Sequence, residues 1–172
     1  MHFDILVEDQ SGKNALNILV PKILGTADEA HTFEIHWYKG IGHIPNCLKP
    51  KTDAKKRILL DQLPRVLRGY GKTYAGRRGF PAAVIVVCDL DDKCLKSFRN
   101  ELLGILDQCN PAPTTRFCIA VAEGEAWFLG DIAAIKSAFP NAKDSVLDSY
   151  VNDSICGTWE LLADAVYKGG HT

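Results

Sequence analysis

Apolar residues recur along this chain with two different periods. Three runs are nearly continuous, Asp4-Ile5-Leu6-Val7, Ala83-Val84-Ile85-Val86-Val87-Cys88 and Phe117-Cys118-Ile119-Ala120-Val121, while a fourth, Thr32-Phe33-Glu34-Ile35-His36-Trp37-Tyr38, alternates and is rich in β-formers. Such runs predict strands, and the continuous ones predict strands buried on both faces of a parallel sheet. Between them the spacing becomes helical. Leu16, Leu19, Val20 and Ile23 predict a first helix that Ser11 can cap and Gly25 ends. From about Asp53, Leu59, Leu63, Val66 and Leu67 predict a second, with Pro64 expected to kink or split it and Gly69 and Gly71 to end it. Asp92 can cap a third, on which Leu95, Phe98, Leu102 and Leu106 align, and Pro81 opens the strand before it. After the fourth strand come a short helix at 132–139, a looser stretch at 140–157 and a last helix carrying Trp159, Leu162, Ala163 and Val166. Lys39-Gly40-Ile41-Gly42 closes the second strand, its glycines allowing a tight turn or a close backbone approach.

Alternating β and α elements predict an α/β fold: a Rossmann-like three-layer sandwich with a central, mostly parallel sheet of about four strands flanked by helices. At 172 residues the chain suits a single domain spanning 1–172 that can bury its own core. Hydrophobic residues are 47% and charged residues 24%, and no apolar run is long enough to span a bilayer. The first residues lack the pattern of a signal peptide, so the expected location is the cytoplasm, without a membrane partner. Six cysteines show no C-x-x-C spacing and read as buried free thiols. His31, His36 and His43 lack zinc-ligand spacing and read as ordinary strand and loop histidines.

Charge changes the picture more than composition does. The net charge is −1, yet residues 49–78 hold ten Lys and Arg against Asp53 and Asp61, a net +8, which leaves about −9 for the rest. A basic segment beside acidic strand ends suits a protein that holds a phosphodiester backbone. The cations best placed for this are Lys49, Lys51, Lys55, Lys56, Arg57, Lys72, Arg77 and Arg78. The alternative is a solvated helix whose charges face water.

The acidic counterpart is a set of carboxylates where apolar strands end: Glu8 after the first, Asp89 and Asp91 after the third, Glu125 after the fourth, with Glu123 beside it. In open α/β sheets ligands bind beyond the carboxyl ends of strands, and carboxylates gathered there repel one another unless a divalent cation neutralises them. In Asp89-Leu90-Asp91 the two-residue spacing would point both side chains the same way if the strand continued. Helix capping by Asp91 or Asp92, and a first-turn helix role for Glu8, are the plainer uses. Two stretches superficially like phosphate loops, 9–14 and 71–73, lack the required glycine or hydroxyl positions.

These residues carry a resemblance. Glu after the first strand and D-x-D after a later one, in a β-α chain, is similar to the Toprim domain of topoisomerases, bacterial primases and OLD-type nucleases. Val86-Val87-Cys88-Asp89-Leu90-Asp91-Asp92-Lys93-Cys94-Leu95-Lys96, then Ile119-Ala120-Val121-Ala122-Glu123-Gly124-Glu125-Ala126-Trp127-Phe128-Leu129-Gly130-Asp131, with the turn Lys39-Gly40-Ile41-Gly42-His43-Ile44-Pro45, resembles a family of small stand-alone Toprim-like proteins of uncharacterised function, often encoded beside an ATPase of the AAA or ABC class. The resemblance covers nearly the whole chain. It implies that Glu8 is the Toprim glutamate, Asp89 and Asp91 the D-x-D pair, and Glu125, or Glu123 in its place, a further carboxylate. It also implies a Mg²⁺- or Mn²⁺-dependent phosphodiester hydrolase acting on DNA or RNA, in a defence or toxin-like setting with an ATPase partner. Two positions depart from the Toprim pattern: Asp9 stands where glycine usually follows the glutamate, and Ala122 where an arginine is expected. These departures favour the alternative, a weak or inactive Toprim-fold scaffold that binds the ATPase. No segment resembles a topoisomerase's tyrosine-bearing domain or a primase's zinc module, and Tyr38, Tyr70, Tyr74, Tyr150 and Tyr167 read as packing residues.

Overall fold

The computed structural model describes residues 1–25, 31–45, 53–76, 79 and 81–171. Four strands, β1 (His2–Val7), β2 (Thr32–Trp37), β3 (Ala82–Asp89) and β4 (Thr115–Ala120), form one all-parallel sheet in the order β2-β1-β3-β4. The helices are α1 (Gln10–Leu24), α2 (Leu59–Gly76), α3 (Leu95–Asp107), α4 (Glu125–Leu129), α5 (Ile132–Ala138), α6 (Asp144–Leu147) and α7 (Thr158–Val166). This is the predicted α/β architecture of a parallel sheet flanked by helices. The chain divides into two compact units, Met1–Cys88 with Lys96–Cys118, and Asp89–Leu95 with Ile119–Thr172.

In the first unit β1 is paired along both edges, Ile5 lying opposite Ile35 on one side and Ile85 on the other. Strand side chains alternate between faces. One face of the sheet therefore gathers Ile5, Val7 and Ile35, with Ile85 and Val87 beside them, against Leu16, Val20 and Leu24 of α1. The opposite face carries Leu6, Val84 and Val86, all fully buried, and Asp4. Helix α2 covers that face: the hydroxyls of its Tyr70 and Tyr74 reach Asp4, and its Leu59, Leu60, Leu63 and Leu67 are fully buried.

Several local expectations are corrected. The cap of α1 is Asp9, whose carboxylate accepts the Gly12 N–H at 2.7 Å and the Ser11 hydroxyl at 2.5 Å. The buried row of α1 is Leu16, Val20 and Leu24, an i, i+4 row, so the predicted Leu19 and Ile23 face outward with Ile18. Asp53 caps a 3₁₀ turn, Ala54–Lys56, and α2 starts only at Leu59. The Lys39–Gly42 turn closes that helix start, because the Gly40 and Ile41 carbonyls accept the Leu59 and Leu60 N–H groups at 3.0 and 2.8 Å. Gly42 has φ +70°, and a Cβ there would strike Ile58 and Asp61. α2 then runs through Pro64, Gly69 and Gly71 to Gly76. Gly71 serves close approach, since any side chain would collide with the Pro111 carbonyl. α3 starts at Leu95, with Asp92 in the turn before it, and buries Phe98, Leu102 and Ile105.

The second unit has its own small core of Leu129, Ile135, Leu147 and Ala165, onto which Ile132, Val146, Leu162 and Val166 pack. Asp131 caps α5 by accepting the Ala134 N–H at 2.9 Å. The stretch 140–157 contains the short α6. Among the described residues no helix is long and apolar enough to cross a membrane. Of the cysteines, Cys88 and Cys109 are buried as expected, whereas Cys94, Cys118 and Cys156 are exposed, and Cys47 lies outside the described residues.

Removing the fully buried Leu63 side chain should be costly, and removing an exposed one should not. Leu63→Ala should lower unfolding free energy by about 2–5 kcal/mol in urea titrations, and Ile23→Ala should change it by less than about 0.5 kcal/mol.

Candidate functional site

The structure places the predicted carboxylates as follows. Glu8 directly follows β1; its backbone carbonyl accepts the Gly40 N–H at 3.0 Å, and the residue is half-buried. Asp89 is the last residue of β3 and is half-buried. Asp91 is not in extended backbone. It has φ +52° in the turn after β3, so the same-side argument for D-x-D does not apply, and its carboxylate pairs with Lys93 Nζ at 2.7 Å. The turns after β3 and β4 are bonded together, Leu90 N–H to Ala120 C=O and Asp91 N–H to Ala122 C=O, both at 2.9 Å. Beside them, Asp89 Oδ1 stands 3.8 Å from where a Cβ on Gly124 would lie, and Glu125 opens α4. Glu123 is engaged otherwise: its Oε2 accepts the Thr158 hydroxyl at 3.2 Å and the Trp159 N–H at 3.0 Å, capping α7. Asp89, Asp91, Glu123 and Glu125 belong to the second unit and Glu8 to the first.

Sequence reasoning missed a different constellation, built wholly within the first unit. Asp4 and Glu34 are register partners on β1 and β2, and His36 follows two residues further along β2, so all three project from one sheet face. One ligand atom from each lies within 4.8 Å of the others, a group able to hold a metal ion. Asp4 is its fixed member. Its Oδ1 accepts His36 Nε2 at 3.0 Å and the Tyr70 hydroxyl at 3.1 Å, its Oδ2 accepts the Tyr74 hydroxyl at 2.5 Å, and His2 Nε2 stands 3.4 Å from Oδ2. The side chain of Asp4 is only 8% exposed, whereas that of Glu34 is 67% exposed. Tyr70 and Tyr74, expected as packing residues, are thus hydrogen-bond donors to a buried carboxylate, and His36 is its partner.

The electrostatics follow from these contacts. Burial pushes the Asp4 carboxyl up, but the hydrogen bonds from His36, Tyr74 and Tyr70 and the charge of His2 outweigh it and hold it below the ordinary range. The bond to Asp4 raises His36 against the opposing effect of burial. Burial, then the Asp4 charge, drives the Tyr70 phenol far upward, so it stays a donor. These groups face a cavity of about 700 Å³ in the first unit, which Trp37, Arg57, Arg65 and Thr73 also line. The sequence did carry a signal, His2-x-Asp4 and Glu34-x-His36, two polar pairs at strand period.

Of the cations expected to track a nucleic-acid backbone, Lys55 and Lys56 are exposed on the 3₁₀ turn and Lys72 is exposed on α2. Arg57 is committed locally: its guanidinium lies 4.4 Å from the centre of the Trp37 ring and donates to the Trp37 carbonyl. Lys49, Lys51, Arg77 and Arg78 lie outside the described residues.

Compared with protein-family models, curated proteins and solved structures, the chain finds no match.

A raised His36 and a lowered Asp4 contribute stability in a defined window. The His36 part is complete below its unfolded value near 6.5 and fades as pH rises through its higher folded value. The Asp4 part is complete above 3.8 and fades as pH falls through its lower folded value. With chelator present, the NMR titration of His36 should have its midpoint above 6.5 and return toward 6.5 in Asp4→Asn; a wild-type midpoint at or below 6.5 contradicts the assignment.

Proposed function

We propose that this protein is a Mg²⁺- or Mn²⁺-dependent phosphodiester hydrolase of the Toprim type, acting on DNA or RNA in the cytoplasm, with an AAA- or ABC-class ATPase as partner in a defence or toxin-like setting. The observation that carries the reading is the strand order β2-β1-β3-β4, which reverses direction between β1 and β3. In open α/β sheets that reversal is where ligands meet the carboxyl ends of strands, and here β3 closes with Asp89. The bonding of the 90–91 turn to residues 120 and 122 adds support, because it ties the loop bearing D-x-D to the one leading into Glu125.

In this reading Asp89, Asp91 and Glu125 would hold the ion, an all-oxygen donor set suited to Mg²⁺ or Mn²⁺. The ion, when bound, supplies polarisation of the scissile phosphate and charge stabilisation at the leaving oxygen. Asp91 would exchange its Lys93 partner for the ion. Glu123 is better assigned to capping α7. Lys49, Lys51, Lys55, Lys56, Lys72, Arg77 and Arg78 would neutralise backbone phosphates, with Arg57 contributing from its stack on Trp37.

A second reading, a Toprim-fold scaffold that binds the ATPase without catalysis, is favoured by a specific observation. Asp9, Asp91 and Glu123 each already serve a cap or an ion pair, and so leave fewer carboxylates for an ion.

Mg²⁺ at about 100 times its dissociation constant should raise the melting temperature by about 5–10 °C, and Asp89→Ala should remove both this shift and nuclease activity while keeping the metal-free melting temperature within about 2 °C. Equal shifts in wild type and Asp89→Ala, with no cleavage by either, would leave the scaffold reading standing. For nucleic-acid binding, Lys55→Glu and Lys72→Glu should each flatten the slope of log affinity against log salt by about 0.9 for each phosphate no longer neutralised, and unchanged slopes would reject the basic face.

A further inference from the structure

The geometry points to a second metal site, independent of the strand-end carboxylates: Asp4, Glu34 and His36 form a three-ligand centre for a divalent first-row transition ion of the zinc class, open to the cavity beside α2. An imidazole with two carboxylates favours Zn²⁺, Co²⁺, Fe²⁺ or Mn²⁺ over Mg²⁺, which demands oxygen ligands and near-ideal octahedral geometry. Three protein ligands with the remaining coordination facing solvent is the arrangement of an accessible ion rather than a purely structural one.

A tetrahedral ion about 2.1 Å from each ligand atom separates the ligand atoms by roughly 3.4 Å. Asp4 Oδ1 and His36 Nε2 stand at 3.0 Å, where an ion would replace the proton of their hydrogen bond. An imidazole binds one ion through one nitrogen, so Glu34, whose Oε1 stands 3.8 Å from the other ring nitrogen, Nδ1, has to swing round to the Nε2 side. The group spans up to 4.8 Å, and the member that must close the gap is Glu34, the most exposed of the three and able to swing on its long side chain. Asp4, by contrast, is already aimed. The Tyr74 and Tyr70 hydroxyls, one on each carboxylate oxygen, hold its orientation from α2, and such partners behind a ligating carboxylate set its position and raise metal affinity. A carboxylate oxygen has lone pairs to accept a hydroxyl and bind an ion together.

The room beside the ligands matters as well. The cavity of about 700 Å³ that the three residues face leaves space for water or a small anion on the ion, and Arg57 and Arg65 line the same space with positive charge. The competing account is that Asp4 is a hydrogen-bond hub alone, tying β1, β2 and α2 with no ion.

The test uses the full-length chain, Zn²⁺ or Co²⁺ as the only added ligand, and equilibrium dialysis beside visible absorption. We expect one Zn²⁺ per chain, a Co²⁺ d–d spectrum of low coordination number without thiolate charge transfer, and little competition from millimolar Mg²⁺. His36→Gln and Glu34→Gln, both at partly or largely exposed positions, should each weaken binding tenfold or more, while Asp89→Ala should leave it unchanged. That last variant separates this centre from the proposed nuclease site, so either can fail alone. Binding that survives in His36→Gln, a thiolate-to-cobalt band from exposed Cys94, Cys118 or Cys156, or affinity in wild type no greater than in the His36→Gln, Glu34→Gln double variant would each overturn the assignment and leave Asp4 as a hub.

Discussion

A strand paired along both edges and covered on both faces offers a charge little water, and β1 is such a strand. Its one buried ionisable side chain, Asp4, stands at the wall of the cavity only 8% exposed and is satisfied chiefly by the protein itself. The solution uses elements far apart in sequence: His36 from β2, and Tyr70 and Tyr74 from α2. A buried carboxylate that accepts several bonds orients its donors, so this one charge adds two directed contacts from α2 to the packing of Leu59, Leu60, Leu63 and Leu67. The cavity follows from the same constraint, since polar groups gathered around a charge at the β2 edge cannot close into an apolar core.

Acidic residues elsewhere are put to more local uses. Asp9, Asp53 and Asp131 cap helices or turns through their own following N–H groups, and Glu123 caps α7 from a distant part of the chain. Helix starts leave N–H groups unpaired, and a short acidic side chain reaches them with little loss of freedom. This is why a count of carboxylates near strand ends overstates what is available for an ion: Glu123 sits where a ligand was expected and is committed to backbone, and Asp9, where a glycine was expected, caps α1. The proposed phosphodiester chemistry rests chiefly on Asp89, where β3 ends, and on Glu125, where α4 begins.

Both proposed metal centres draw on one topological fact, that β1 occupies the middle of the sheet. Its C-terminal end leads to Glu8 beside the reversal of strand order, and its face presents Asp4 to β2 and α2.

The continuous runs of β1 and β3 determined strands buried between helices, the alternating run determined β2, and their alternation with helical spacing determined an α/β sheet; the run at β4 also gave a strand, but at the sheet edge, where Arg116 and Cys118 are exposed instead of buried. The Lys39–Gly42 turn was legible for a related reason, since glycine repeats where a side chain cannot fit mark close approach, as at Ile58 and Asp61. Which row of α1 faces inward, how far α2 runs past its glycines, and that Ser11 yields the cap to Asp9 were settled by packing and by competition for the same N–H groups. The pairs His2-x-Asp4 and Glu34-x-His36 stand at strand period in the sequence, but that Asp4, Glu34 and His36 meet was decided by tertiary structure. Asp4 is remote in sequence from the other two and meets them only through the β1–β2 register, and neither local propensity nor a short motif encodes which residue of one strand stands opposite which residue of another.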